Sequence, residues 1–191
     1  MIQRIFLLSP ADCCGRRAGY LLREDSELPL ARRLGREGAP IGEVFSFLSG
    51  LYFRGKLAYA TAFSAPPDSL PGVLVITPNA WLVPSTRIIH LDTVRHFARG
   101  KIDLSNPEYR VPLERDAKNI SLAAGEDCEV ILLGSLATAK YLAVLSAAFG
   151  RRLYFPAEFV GRGDMSRGAL MLRCVEDRRE LQYVPAIRAN S

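Results

Sequence analysis

Four apolar runs divide this chain, at residues 2–8, 72–77, 129–133 and 153–155, and each runs out into a loop of small or polar residues. Runs this short and this rich in Ile, Val, Leu and Phe read as strands buried on both faces. Helical stretches separate them, from about Arg16, across 28–63, and at 90–98, 113–123 and 137–149. Strands alternating with helices predict an α/β fold, with a mostly parallel central sheet and helices on both faces. Breaks at Gly35, at Gly38-Ala39-Pro40 and at Ser49-Gly50 cut the region 28–64 into three short helices. These are expected over 28–36, 40–48 and 51–63, as a helical insertion within one domain spanning 1–191. Residues 169–175 and 180–184 read as a C-terminal β-hairpin; a helix over 164–173 is the competing reading of the first half.

Composition narrows the class. With 49% hydrophobic residues in 191, a sizeable core is available. The net charge of +5 favours a polyanionic partner, moderately. Cys13 and Cys14 are adjacent, Cys128 and Cys174 sit inside apolar runs, and there is no C-x-x-C pair and only two histidines. A structural zinc site is therefore not expected, nor any other metal or cofactor. No apolar run approaches membrane-spanning length, and the first is too short for a signal peptide. A reducing, cytoplasmic setting without a membrane partner is the expectation.

A parallel sheet gathers the loops after its strands at one edge, where open α/β sheets bind ligands. Those loops carry Asp12, Asn79, Ser135 and Arg162. Asp12, next to Gly15, Arg16 and Arg17, suits water activation or stabilisation of a developing positive charge; its alternative is a turn or helix cap. Ser9 and Pro10 open the same loop. Asn79 offers a donor and an acceptor for a base edge, or closes a turn after Pro78. Trp81, the only tryptophan, stacks on a base or packs in the core. Ser135 stands at the expected start of the 137–149 helix, where it binds phosphate or caps. The last loop holds Glu158 and Phe159, then Arg162-Gly163-Asp164-Met165-Ser166-Arg167-Gly168. Arg162, Ser166 and Arg167 among glycines suit a phosphate; Phe159 wedges into a base stack or anchors the loop. His90 and His96 read as surface or structural residues.

Several segments together resemble a known group. Leu48-Ser49-Gly50-Leu51-Tyr52-Phe53-Arg54-Gly55-Lys56, the loop Thr77-Pro78-Asn79-Ala80-Trp81-Leu82-Val83-Pro84 and the opening Leu7-Leu8-Ser9-Pro10-Ala11 carry the likeness. They look like a diffuse superfamily that includes the peroxide-stress protein YaaA and a core domain of archaeosine synthases. That group is similar in fold to uracil-DNA glycosylases. The resemblance implies a water-activating role for Asp12 and a base-reading role for Asn79. It also implies that Leu132-Leu133-Gly134-Ser135 is the third strand with its Gly-Ser ending, and that Phe155 to Gly168 is the DNA-intercalating loop. That last loop lacks the histidine that polarises uracil in those enzymes, so the likeness points to a different, modified base. Some anti-phage defence glycosylases remove such bases, and a similar role is implied here.

The expectation is thus a DNA glycosylase that flips a modified base out of the duplex and hydrolyses its N-glycosidic bond, with DNA favoured over RNA as partner. The alternatives are a non-enzymatic DNA-binding stress protein and an enzyme acting on free nucleosides, such as a base exchanger. A domain without any site is the remaining reading.

Overall fold

The computed structural model describes residues 2–136 and 140–186. Its first half runs β1 (Arg4–Leu8), α1 (Arg16–Leu22), α2 (Pro29–Leu34), β2 (Ala39–Pro40), α3 (Ile41–Ser49), α4 (Leu51–Phe63), β3 (Val73–Thr77) and β4 (Trp81–Pro84). There follow β5 (Ile88–Ile89), α5 (Leu91–Arg99), α6 (Pro107–Ala124), β6 (Glu129–Leu133), α7 (Leu142–Phe149), β7 (Leu153–Pro156), α8 (Asp164–Glu176) and β8 (Tyr183–Pro185).

The six-stranded sheet has the order β4-β3-β1-β6-β7-β8. Its four inner strands, β3, β1, β6 and β7, are mutually parallel, as expected of the four apolar runs. β4 and β8 pair antiparallel at the two edges. Ile5, Phe6, Leu7 and Leu8 of β1 are all fully buried. Successive strand residues face opposite sides, so both faces of β1 are covered. α4 packs on β1 and β3, and α8 packs on α4; α6 and α7 pair, and α7 touches β7. The three helices expected between 28 and 63 are α2, α3 and α4, while β2 and β5 form a separate two-stranded ribbon beside them. Among the described residues no helix is long and apolar enough to cross a membrane. All four cysteines are free; Cys128 and Cys174 are buried, as their apolar surroundings predict.

Four expectations are corrected. Residues 169–175 are not a hairpin strand but lie within α8, because Gly168, Met171 and Cys174 recur at helical spacing and bury one face. β8 pairs instead with β7, tied down by the Tyr59 hydroxyl, which accepts from the Leu181 N–H at 2.8 Å and meets the Tyr183 hydroxyl at 2.6 Å. The helix expected over 113–123 starts two turns earlier as α6, with the Asn106 side chain accepting from the Glu108 N–H and Pro107 at the first helical position. The helix expected over 137–149 begins at Leu142 as described, and residues 137–139 lie outside the described residues.

Candidate functional site

The sheet order dictates where a ligand cleft opens. From β1 the chain proceeds to β3 on one side, and from β6 it proceeds to β7 on the other. Connections leaving in opposite directions part at the carboxyl ends of this central pair, which is where open α/β sheets bind ligands. A cavity of about 450 Å³ lies there, within the size range of small-molecule sites. The loop after β1 lines it with Ser9, Pro10 and Asp12, and the loop after β6 with Ser135, Lys140 and Tyr141. Leu48 and Ser49 at the end of α3, Tyr52 and Lys56 from α4, Ile102, and Asp164 and Met165 from α8 complete the wall.

Asp12 is exposed at this cavity, and its carboxylate is held by a short-range bond, Oδ1 accepting from the Cys14 N–H at 2.8 Å. The other oxygen, Oδ2, lies so near Gly15 that a Cβ there would stand 3.0 Å from it. Across the cleft, Ser135 and Tyr141 lock the loop after β6. The Tyr141 hydroxyl accepts from the Ser135 N–H and donates to the Ser135 carbonyl, each at 3.1 Å. Between them Gly134 leaves room for this contact; a Cβ at that position would meet the Tyr141 hydroxyl at 2.7 Å and Ser9 Cβ at 2.9 Å.

Lys56 forms the cavity's most unusual wall. It is only 1% exposed, although lysine is rarely buried. Its Nζ donates to the Ser9 carbonyl and to Ser9 Oγ, both at 2.7 Å. The Tyr52 and Phe53 rings lie 4.5 and 4.7 Å from the nitrogen. Burial lowers the Lys56 ammonium to about 7, Asp164 pulling the other way. Burial likewise pushes the Tyr52 phenol up to about 12. Ser49 and Met165 also border a neighbouring cavity of about 620 Å³, which carries Arg17 and Arg54. There the Arg17 guanidinium donates to the Phe47 carbonyl at 3.0 Å, and Arg54 is exposed.

Four residues expected at a site, Ser9, Pro10, Asp12 and Ser135, therefore share one cavity. Ser135 does not cap α7, however, which begins at Leu142 with Tyr141 at its N-cap. The remaining candidates are engaged elsewhere. Asn79 Nδ2 donates to the His96 carbonyl at 2.8 Å, in the last turn of α5. That bond satisfies a carbonyl with no partner inside its own helix. Trp81 opens β4, its indole N–H making a long 3.4 Å contact to the Glu108 carbonyl. Pro112, four residues on in α6, has no N–H to offer that carbonyl. Phe159 is fully buried and meets Phe155 edge to face, so it is no wedge. Glu158 Oε1 accepts from the Gln182 N–H at 3.1 Å. Arg167, in the first turns of α8, donates twice to the Phe159 carbonyl, at 3.1 and 2.9 Å. Arg162 and Ser166 are exposed and bond to each other at 3.1 Å.

Sequence reasoning missed Lys56, Tyr52, Tyr141 and Asp164. One signal was present: Phe53, Lys56 and Ala60 fall on one helical face, and a lysine in an apolar stripe marks a buried cation. Among the described residues no three His, Cys, Asp or Glu side chains gather to hold a metal ion. No protein-family model, no curated protein and no solved structure matches this chain.

Proposed function

We propose that this protein is a DNA glycosylase acting on a modified base, with its active site in the cavity at the ends of β1 and β6. The observation that carries the reading is Asp12 on an open cavity of mixed polar and apolar lining at the switch point of a parallel sheet. A base buried in a duplex cannot be reached, so the nucleotide swings out of the stack into the cavity. As the bond from the base to C1′ stretches, the sugar gains oxocarbenium character. The Asp12 carboxylate, held by the Cys14 N–H, stabilises that charge and directs water to C1′. Ser9 and Ser135 give the cavity polar groups for the base edge. Neither histidine lines it, in keeping with a substrate other than uracil. Arg17 and Arg54 in the neighbouring cavity, with exposed Arg162, replace the Arg162–Arg167 pair as the phosphate contacts of the flanking strand.

The test is base release. The purified protein is incubated with plain duplex, uracil-containing duplex and phage DNA carrying modified cytosines or guanines. Alkaline strand cleavage reads abasic sites, and mass spectrometry reads the freed base. Release from one substrate, cut at least about a hundredfold by Asp12→Asn with binding retained, supports the assignment. Salt-sensitive binding with no release from any substrate points to a non-enzymatic DNA-binding protein, and release from free nucleosides alone to a base exchanger.

A further inference from the structure

The proposed hydrolysis leaves one buried group of the cavity without a task, the Lys56 amine. We propose that Lys56 is the nucleophile of a second activity, cleavage of the DNA strand at an abasic site through an imine at C1′. This rests on the reading of the cavity as the place where C1′ is held, and it extends that reading by one reaction.

Three features of the chain carry it. First, only a primary amine forms an imine with an aldehyde. Cations in this sequence are 21 arginines and four lysines, Lys56, Lys101, Lys118 and Lys140, so the buried position departs from the chain's usual choice. Second, the geometry suits a neutral amine. An uncharged amine has two hydrogens, and Nζ has two acceptors at 2.7 Å, the Ser9 carbonyl and Ser9 Oγ. With both hydrogens so placed, the lone pair is left for the cavity that Lys56 lines. Third, burial disfavours the ammonium: Lys56 is 1% exposed, and Asp164, the carboxylate that acts on it, is itself paired with Arg167 at 3.8 Å. The Tyr52 and Phe53 ring faces attract a cation but only partly offset the lost hydration. Burial brings the group to about 7, so a large share is nucleophilic near neutral pH.

The chemistry balances without any added reagent. An abasic deoxyribose opens to an aldehyde at C1′. Lys56 adds to that carbon, and loss of one water gives the imine. The imine acidifies the C2′ hydrogen, which leaves as a proton. The electron pair of that C–H bond forms the C2′–C3′ double bond, and the C3′–O bond breaks with its electrons leaving on the phosphate. Water then hydrolyses the unsaturated imine, restoring the Lys56 amine and releasing an unsaturated aldehyde end.

The test uses the full chain and a duplex carrying a single abasic site, so no base has to be recognised or removed. Borohydride is added to reduce the imine to a stable amine. The expected result is a covalent protein–DNA adduct that peptide mapping locates at Lys56. Lys56→Arg, which keeps a donor for Ser9 but forms no imine, abolishes the adduct. With only four lysines the mapping is unambiguous even where that variant folds poorly. No adduct, or an adduct at exposed Lys140 with none at Lys56, overturns the inference. Base release without trapping leaves the glycosylase standing and removes the second activity. Trapping at Lys56 without base release from any duplex leaves the strand cleavage and removes the glycosylase.

Discussion

Lys56 makes a prediction that needs no substrate. In the unfolded chain its proton is held up to the ordinary value of 10.5, whereas the folded protein releases it at about 7. Between those values the unfolded state binds more protons, so stability climbs as pH rises through the window. The cost of the buried ammonium is fully present below about pH 7 and fades toward 10.5. Each pH unit inside the window is worth about 1.4 kcal/mol, and linkage over about pH 6 to about pH 9 gives roughly 2.5 to 3 kcal/mol. The control is Lys56→Met, which keeps the length of the side chain and removes the titrating group. It also leaves the Ser9 carbonyl and hydroxyl without this donor, an offset of about 1 to 3 kcal/mol that does not vary with pH. Urea unfolding of both proteins at each pH gives a stability difference in which every other titrating group cancels. The wild type should gain on the variant by roughly 2.5 to 3 kcal/mol across that range. A difference that stays flat within about 0.5 kcal/mol, or that falls with pH, refutes the reasoning, because the amine would then keep its solution affinity for the proton.

Further changes separate positioning from packing. Gly15→Ala introduces a Cβ 3.0 Å from Asp12 Oδ2 at a backbone φ of −72°, which suits alanine, so base release should fall about tenfold to a hundredfold with the unfolding midpoint unchanged or slightly raised. Unaltered turnover would detach Asp12 from the chemistry. Arg54→Ala and Arg162→Ala should each weaken DNA binding and reduce the salt slope by about one, at constant stability; a slope identical to the wild type's removes that residue from the phosphate track. Arg167→Ala should instead lose about 1 to 3 kcal/mol of stability, read by denaturant unfolding, because two bonds to the Phe159 carbonyl disappear. Gly168→Ala places a Cβ 2.7 Å from the Leu51 carbonyl oxygen and should destabilise by about 2 to 3 kcal/mol in the same assay; a loss under about 0.5 kcal/mol would show that α4 and α8 yield freely.

The inner strands were legible because burial on both faces writes a short, uninterrupted apolar run that ends in a loop of small or polar residues. β4 escaped notice because Trp81-Leu82-Val83-Pro84 is four residues long and ends on a proline, which usually argues against a strand. It is tolerated here at the sheet edge, where β3 is its sole partner. The site was half legible for a related reason. Strand ends are visible in sequence, so Ser9, Pro10, Asp12 and Ser135 were found at the ends of β1 and β6. Asn79 and Trp81 also follow a strand end, but β3 turns directly into an antiparallel neighbour, with Thr77 Oγ1 accepting from the Ala80 N–H and donating to the Trp81 carbonyl. A hairpin that tight is occupied with its own closure. The apolar stripe of α4 marks Lys56 as buried, but that α4 and α8 wall the cavity was not legible, because no local pattern says which helix crosses the mouth of which strand.

What brings those two helices together is itself written in the chain, in residues given another purpose. Gly168 was grouped with the glycines that admit a phosphate, yet it is buried, and it faces Gly55 of α4 across a backbone contact. A Cβ on Gly55 would come within 2.6 Å of the Gly168 carbonyl oxygen, so neither position accepts even alanine without the helices parting. Lys56 follows Gly55, and Asp164 stands four residues before Gly168, one turn back along α8. The approach of the two backbones therefore sets how far Asp164 lies from the Lys56 nitrogen, and with it how strongly that carboxylate holds the proton there. These glycines bear on the cavity at one remove: they fix the wall on which the amine is mounted, while Gly161 and Gly163, with nothing within 4 Å of the Cβ each lacks, sit on the open loop where contact with a strand was expected.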